Sequence, residues 1–239
     1  MQFWWFPIPL NAQAQAYDAH FKLNLYLVAG IFLLAQGLLF YAIFRFRNRG
    51  QKAEQFEGSS KLEIGWTAAT AVIFIGLALA GQKIWARMHL NEVPKGAMKV
   101  EVLAKQFTWS FRYPGPDGIF GRTSAKAIDD AGGNPFGIDP KDPAGKDDVV
   151  SGALRVPLHR DIELALRSRD VIHNFFVREL RLKQDIVPGM TIPIHFRADQ
   201  AGEYEIPCSE LCGLGHHQMR STLAVLTEKE FAAWLAQSR

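Results

Sequence analysis

Two stretches of this chain carry no formally charged residue: 23–44, LNLYLVAGIFLLAQGLLFYAIF, and 64–82, IGWTAATAVIFIGLALAGQ. As α-helices they would be about 33 and 28 Å long, close to the roughly 30 Å hydrocarbon core of a bilayer. Lipid offers the backbone no hydrogen-bond partners, so a spanning segment must satisfy its own, as a helix does. The expectation is a two-helix transmembrane hairpin over 23–88, with spans at about 23–44 and 64–84 and a loop over 45–63. Arg45, Arg47, Arg49 and Lys52 follow the first span, which predicts a cytoplasmic loop. Trp66 and Trp85 sit near the ends of the second, where indole rings favour the interface. Two crossings place residues 1–22 and 89–239 together on the outer side.

The overall hydrophobic content of 48% would suit a soluble protein and hides these blocks. Residues 1–88 hold 8 Lys/Arg against 4 Asp/Glu, and the remainder holds 19 against 20. A net charge of +3 is too small to imply a nucleic-acid partner. The first 22 residues lack the basic start and long apolar centre of a signal peptide, despite Ala12, Ala14 and Ala16. They read as an aromatic-rich segment at the membrane interface.

Residues 89–239 read as β-rich. Short apolar or alternating runs occur at Met98–Val102, Phe107–Tyr113, Leu154–Leu158, Ile162–Leu166, Val171–Val177, Thr191–Phe196, Tyr204–Pro207 and Thr222–Leu226. That spacing predicts an all-β sandwich or barrel. Residues 114–150 interrupt it with 7 Gly, 5 Pro and 7 Asp, a turn-forming composition read as a surface insertion. Thr227 and Glu230 have capping-box spacing, predicting a C-terminal helix that buries Phe231 and Trp234.

The chemistry is concentrated in Cys208-Ser-Glu210-Leu-Cys212-Gly-Leu-Gly-His216-His217-Gln-Met219. Twelve residues offer two thiols, two imidazoles, a thioether and a carboxylate. This soft mixture suits copper better than magnesium, calcium or manganese. Zinc, a disulfide and a metal-free thiol pair remain alternatives at this point. With only two cysteines there is no disulfide framework and no four-thiolate cluster from one chain. Leu211, Leu214 and Phe175 are candidates for an apolar shell around the site. His217 reads as exposed or supporting, His195 as structural, and His20, His89 and His159 as surface or interfacial. No Cys-x-x-Cys-His occurs in these residues, so they offer no covalent haem attachment.

Read as Cys-x-Glu-x-Cys-x3-His-x2-Met, the stretch resembles the binuclear copper A motif of cytochrome c oxidase subunit II, position by position. Asp170-Val-Ile-His173-Asn-Phe-Phe resembles the segment that supplies the family's upstream histidine. The likeness spans the hairpin, an aromatic strand, the metal loop and the terminal helix. It implies a cupredoxin-like Greek-key barrel over 89–239, outside the cytoplasmic (inner) membrane of a bacterium. It implies two copper ions bridged by Cys208 and Cys212, with His173 and His216 each binding one. Met219 and the backbone carbonyl of Glu210 would be weak ligands, and the Glu210 carboxylate would bind a magnesium ion shared with subunit I. Electrons would come from cytochrome c or another c-type haem donor and pass to haem in subunit I, where oxygen is reduced and protons are translocated. Subunit III would be a further partner.

Departures from the family pattern mark this chain. Where the family has Gln-Trp-x-Trp, the sequence reads Gln106-Phe107-Thr108-Trp109, so Phe107 replaces the tryptophan that admits electrons while Trp109 is kept. Arg178 and Thr70 stand where the family usually has proline. Glu63 aligns with a carboxylate guarding proton uptake in relatives; a solvated helix-start residue is the plain alternative. A membrane-tethered copper-handling protein and a structural quinol-oxidase relative are the competing readings, the latter opposed by the complete ligand set.

Overall fold

Uncharged, apolar residues give the first two elements. In a computed structural model describing residues 6–50, 52, 55, 57–89 and 93–238, α1 runs over Ala12–Arg45 and α2 over Ser60–His89. Both continue beyond the uncharged runs, and α1 takes in half of the 22-residue segment expected at the membrane interface. Four residues of the expected loop 45–63, at 51, 53, 54 and 56, lie outside the described residues. Within this helical unit (16–87), Leu33, Phe40, Phe74 and Ile75 are all more than half exposed. Large apolar side chains facing outward all along both helices make a surface suited to lipid or to other membrane helices. The helices touch where His20 meets Gly81: a Cβ there would lie 3.1 Å from the His20 Nε2 atom. A side-chain-free position is what permits that approach.

The second unit comprises residues 1–15 and 88–239. Its strands are β1 (Met98–Lys105), β2 (Thr108–Tyr113), β3 (Val149–Ser151), β4 (Leu154–Pro157) and β5 (Asp161–Ser168). They continue with β6 (His173–Val177), β7 (Leu182–Ile186), β8 (Ile192–Arg197), β9 (Gly202–Pro207) and β10 (Arg220–Leu226). The sheets run β3-β2-β1-β5-β8, β4-β10-β9 and β6-β7. Parallel neighbours β1–β5 and β4–β10 cannot be joined by hairpins, so the chain crosses over, as a cupredoxin-like Greek-key barrel requires. Alternate residues Val100, Val102, Ala104, Ile162, Leu164 and Leu166 turn inward and are fully buried. The apolar alternation predicted the strands other than β3 and β7; Phe107, expected inside one, instead lies in the turn before β2.

The N-terminal segment belongs to this unit. The Leu10 amide donates to the Glu179 carbonyl at 3.0 Å, and the Leu10 carbonyl accepts from Asp199 at 2.9 Å. Leu10 is wholly buried. Asn11 accepts from the Ala14 amide at 2.7 Å and donates to the Arg197 carbonyl, capping α1 while holding the barrel. Arg178, the family departure, lies exposed and paired with Glu179 at 2.8 Å.

The insertion 114–150 is ordered mainly by polar contacts. Asn134 donates to the carbonyls of Ala127 and Ile138, and accepts from the Ile138 amide. Its base is tied to β2 by Arg112, 1% exposed, which donates to Glu101 at 2.9 Å, to the Gly121 carbonyl at 2.5 Å and to Asp148. At the C-terminus α3 (Glu228–Gln237) starts with the expected capping box, buries Phe231, and sets Trp234 edge-on to Tyr113 at 5.0 Å.

Candidate metal centre

Two segments converge on one end of the barrel. β6 begins at His173, whose side chain is fully buried, and a bridge between Phe175 and Cys208 lays the start of the loop 208–219 alongside it. The loop closes on itself because the Cys208 amide donates to the Met219 carbonyl at 2.9 Å. The twelve residues 208–219 folded into that closure turn the donor atoms of Cys208, Cys212, His216 and Met219 toward one another. Cys208, Cys212 and Met219 are buried and His216 is half-buried.

The sulfurs of Cys208 and Cys212 lie 3.9 Å apart, nearly twice a disulfide bond length, so both are free thiols. His173 Nδ1 approaches the Cys208 sulfur at 3.8 Å; His216 Nδ1 approaches the Cys212 sulfur at 3.6 Å. Met219 Sδ is 3.8 Å from Cys212, and the Glu210 carbonyl is 3.2 Å from Cys208. The donor atoms of His173, Cys208 and Cys212 all fall within 4.8 Å of one another. Metal–thiolate bonds run to roughly 2.3 Å, so one ion can reach both sulfurs. Each imidazole is then placed beside a different sulfur, with further donors left over. The donor set fits copper by softness and by number.

The surrounding groups fix the ligands. Asp170 accepts from His173 Nε2 at 2.8 Å, which holds the ring with Nδ1 turned toward Cys208 and, once a metal displaces the Nδ1 proton, favours the Nε2–H tautomer. The same carboxylate accepts from the amides of Gln106 and Val171, each at 2.7 Å. Burial opposes ionisation of Asp170, but these donors outweigh it and hold its pKa below the ordinary range. Burial likewise disfavours a charged His173; hydrogen bonds to Cys208 and Asp170 reverse that and raise its pKa. Cys208 is desolvated yet its thiol is driven down, chiefly by the His173 hydrogen bond and by the backbone at Asn174 and Glu210. Cys212 is driven up by burial and by the neighbouring Cys208 thiolate. A cation placed between the two sulfurs would relieve the repulsion that the Cys208 thiolate exerts on Cys212.

Trp109 is buried against this frame, its ring 6.4 Å from His173 and 6.0 Å from Phe175. Phe107, half-buried, lies over the loop: Cβ atoms built on Gly213 and Gly215 would come within 3.1 and 2.4 Å of its ring. Gly213 also has φ +134°, a conformation side chains avoid. Gln106 donates to the Cys212 carbonyl at 2.5 Å. That clasp spans 106 residues of sequence, and no local pattern announces it.

Leu211 and Leu214 correct the expectation of an apolar shell: they are 78% and 98% exposed. Their neighbours Cys212, Gly213 and Gly215 face the cluster and Phe107, so the leucines must point outward. Phe175, wholly buried, does shield the site. The Glu210 side chain and His217 are exposed, and His195 is half-buried on β8. Glu63 belongs to the helical unit, in the first turn of α2.

Fold and site together are those of a protein with two helices long and apolar enough to span a membrane and a β-domain whose thiol–imidazole–thioether cluster could hold a soft metal ion. The family model "Cytochrome C oxidase subunit II, periplasmic domain" matches residues 143–226, and that for the family's transmembrane domain matches 6–84. The "Alternative cytochrome c oxidase subunit 2" of Bradyrhizobium diazoefficiens is 35% identical over 240 residues, covering 99% of this chain and 84% of the relative. A cytochrome c oxidase subunit 2 from Thermostichus vulcanus is 32% identical, over 98% of this chain and 78% of its own. Among solved structures, the periplasmic domain of subunit II of cytochrome oxidase from Bradyrhizobium japonicum is 29% identical with a TM-score of 0.46, covering 62% of this chain and 96% of that one. This chain belongs to the cytochrome c oxidase subunit II family. It is a membrane protein and a subunit of an oxidase complex, and the family implies copper.

Proposed function

We propose that this chain takes electrons from a cytochrome c-type donor into a binuclear copper A centre and delivers them to haem in subunit I. The observation that carries the reading is the pair of free sulfurs 3.9 Å apart, each with its own imidazole and with Met219 and the Glu210 carbonyl alongside. Cys208 and Cys212 would bridge, and His173 and His216 would each hold one ion. Bound there, the copper pair supplies a one-electron site whose charge is spread over two metals and two sulfurs.

The chain's own residues keep that site rigid and dry. Asp170 fixes the His173 tautomer, Gln106 pins the Cys212 carbonyl, and Phe175 with Trp109 excludes water from one side. Little can move when the charge changes, which keeps the reorganisation cost of electron transfer low. Leu211 and Leu214 offer an exposed apolar contact beside the ligands, suited to a partner surface. Phe107 resists oxidation more than the family's tryptophan, so it serves as packing against Gly213 and Gly215. The donor contact then falls near Trp109 or the exposed leucines.

The remaining assignments follow the family pattern. The cluster Arg45, Arg47, Arg49 and Lys52 favours a cytoplasmic loop 45–63, with the copper domain 89–239 on the outer, periplasmic side of the inner membrane. Glu63 would then stand at the cytoplasmic end of α2, as a proton-uptake carboxylate for subunit I. The exposed Glu210 carboxylate would contribute one ligand to a magnesium ion completed by subunit I, and subunit III would complete the complex.

Mixing the copper-loaded full-length chain in detergent with reduced cytochrome c in a stopped-flow instrument tests the function. Oxidation of the cytochrome in step with reduction of the copper chromophore is expected. Copper that stays oxidised, or leaves readily to a chelator, would favour the copper-handling alternative.

A further inference from the structure

One carboxylate of the insertion binds the two segments that lead into the metal centre's supporting residues. Asp130 accepts from Lys105 Nζ at 2.7 Å and from Arg169 Nη2 at 2.6 and 2.8 Å with its two oxygens. Lys105 is the last residue of β1 and directly precedes Gln106 and Phe107; Arg169 is the first residue past the end of β5, on the way to His173, and directly precedes Asp170. The Arg169 amide also donates to the Ala104 carbonyl at 3.0 Å, so the two segments already lie side by side. Lys105 and Arg169 are only 23% and 24% exposed. The Lys105 hydrogen bond, foremost, holds the Asp130 carboxyl below its ordinary range, with Arg169 assisting.

We infer that Asp130 is a positioning residue for the metal centre, clamping the Gln106–Phe107 turn to the Asp170 loop so that both press on the ligands. The inference rests on the copper reading above. Asp130 touches neither ligand nor metal loop. It acts through Gln106, which holds the Cys212 carbonyl and donates its amide to Asp170, and through Asp170, which orients His173. Without Asp130, Lys105 and Arg169 face each other as like charges, which loosens the Gln106–Phe107 turn and the Asp170 loop where the β1–β5 backbone pairing ends. The Arg112 anchor holds the base of the insertion independently, so loss of the clamp leaves the fold intact. The insertion thereby has a task beyond covering surface: it closes the frame around the two histidine- and cysteine-bearing segments.

The test compares the copper-loaded full-length chain in detergent with Asp130→Asn, Asp130→Glu and Asp117→Asn. Asp117 is an exposed insertion carboxylate that, among the described residues, accepts from the Ile119 amide two residues on. Asp130→Asn should release copper to a chelator about threefold faster or more, the scale set by losing an ion-pair network, with an altered copper hyperfine splitting. Asp130→Glu should recover part of both, and Asp117→Asn should match the parent. Unchanged release and spectrum in Asp130→Asn, even with a lower unfolding temperature, would reduce Asp130 to an ordinary surface pair and overturn the inference. A parent without a two-copper signal would instead overturn the copper reading. The clamp is then judged on metal-free protein by amide hydrogen exchange. Faster exchange at 212–215 in Asp130→Asn sustains it, and unchanged exchange there refutes it.

Discussion

Replacing Arg112 by methionine removes the cation at the base of the insertion while keeping an unbranched apolar stem of similar reach. Three acceptors lose a donor. Glu101 retains Arg167 at 3.4 Å and is compensated, and the Gly121 carbonyl loses one bond. Asp148 is the costly one, since its side chain is wholly buried and keeps only the Gly121 amide at 3.0 Å. Breaking a buried pair by removing one partner costs about 3–5 kcal/mol. In a domain of this size that lowers the melting temperature by about 6–20 °C. Near-ultraviolet circular dichroism of the full-length chain in detergent, followed on heating, reads the loss of barrel packing. Arg112→Met with Asp148→Leu should recover most of the stability, because no buried charge is then left unpaired. A loss below about 1 kcal/mol for Arg112→Met, the value of an exposed pair, would refute the view that this contact anchors the insertion.

Other outcomes follow from the same geometry. Met219→Leu should retain copper but raise the midpoint potential, read by voltammetry, because a weak donor to the oxidised metal is gone; an unchanged potential would count against ligation by Met219. Gly215→Ala should lower copper retention by forcing the loop off the Phe107 ring, and adding Phe107→Leu should restore part of it; equal retention in both would show that the loop tolerates the displacement. Thr227→Ala should cost about 1 kcal/mol by uncapping α3. The Glu230 carboxyl is depressed chiefly by its hydrogen bond from the Thr227 hydroxyl, so its contribution is complete above the ordinary glutamate pKa. It is lost as pH falls through the lowered folded value, and thermal melts across that range should show the Thr227→Ala penalty shrinking with acid. Glu63→Gln in the assembled oxidase should slow steady-state turnover with copper reduction still fast; undiminished turnover would remove Glu63 from the proton path.

What could be read directly from the sequence was whatever the physics makes local. Lipid forces long uncharged runs, so both membrane helices were visible, though not their extensions to Ala12 and His89. Buried alternation marked most strands. It missed β3, three residues at the end of an Asp-rich stretch, and β7, whose inward Leu182 and Ile186 enclose Lys-Gln-Asp. The ligands were legible because one closed loop supplies all but His173. Their support was not: Gln106 meets Cys212 across 106 residues, and Asp130 meets Arg169 across 39. Leu211 and Leu214 are apolar without being buried, because the glycines beside them bring the backbone, and not the leucine side chains, toward the site.

In the proposed function two coppers held by Cys208 and Cys212 would share one unpaired electron. Low-temperature electron paramagnetic resonance of the copper-loaded full-length chain addresses it directly. The account predicts the hyperfine pattern of a single unpaired electron divided equally between two copper nuclei, lost when either cysteine is replaced by serine. The pattern of a single copper nucleus, or no copper signal at all, would contradict it.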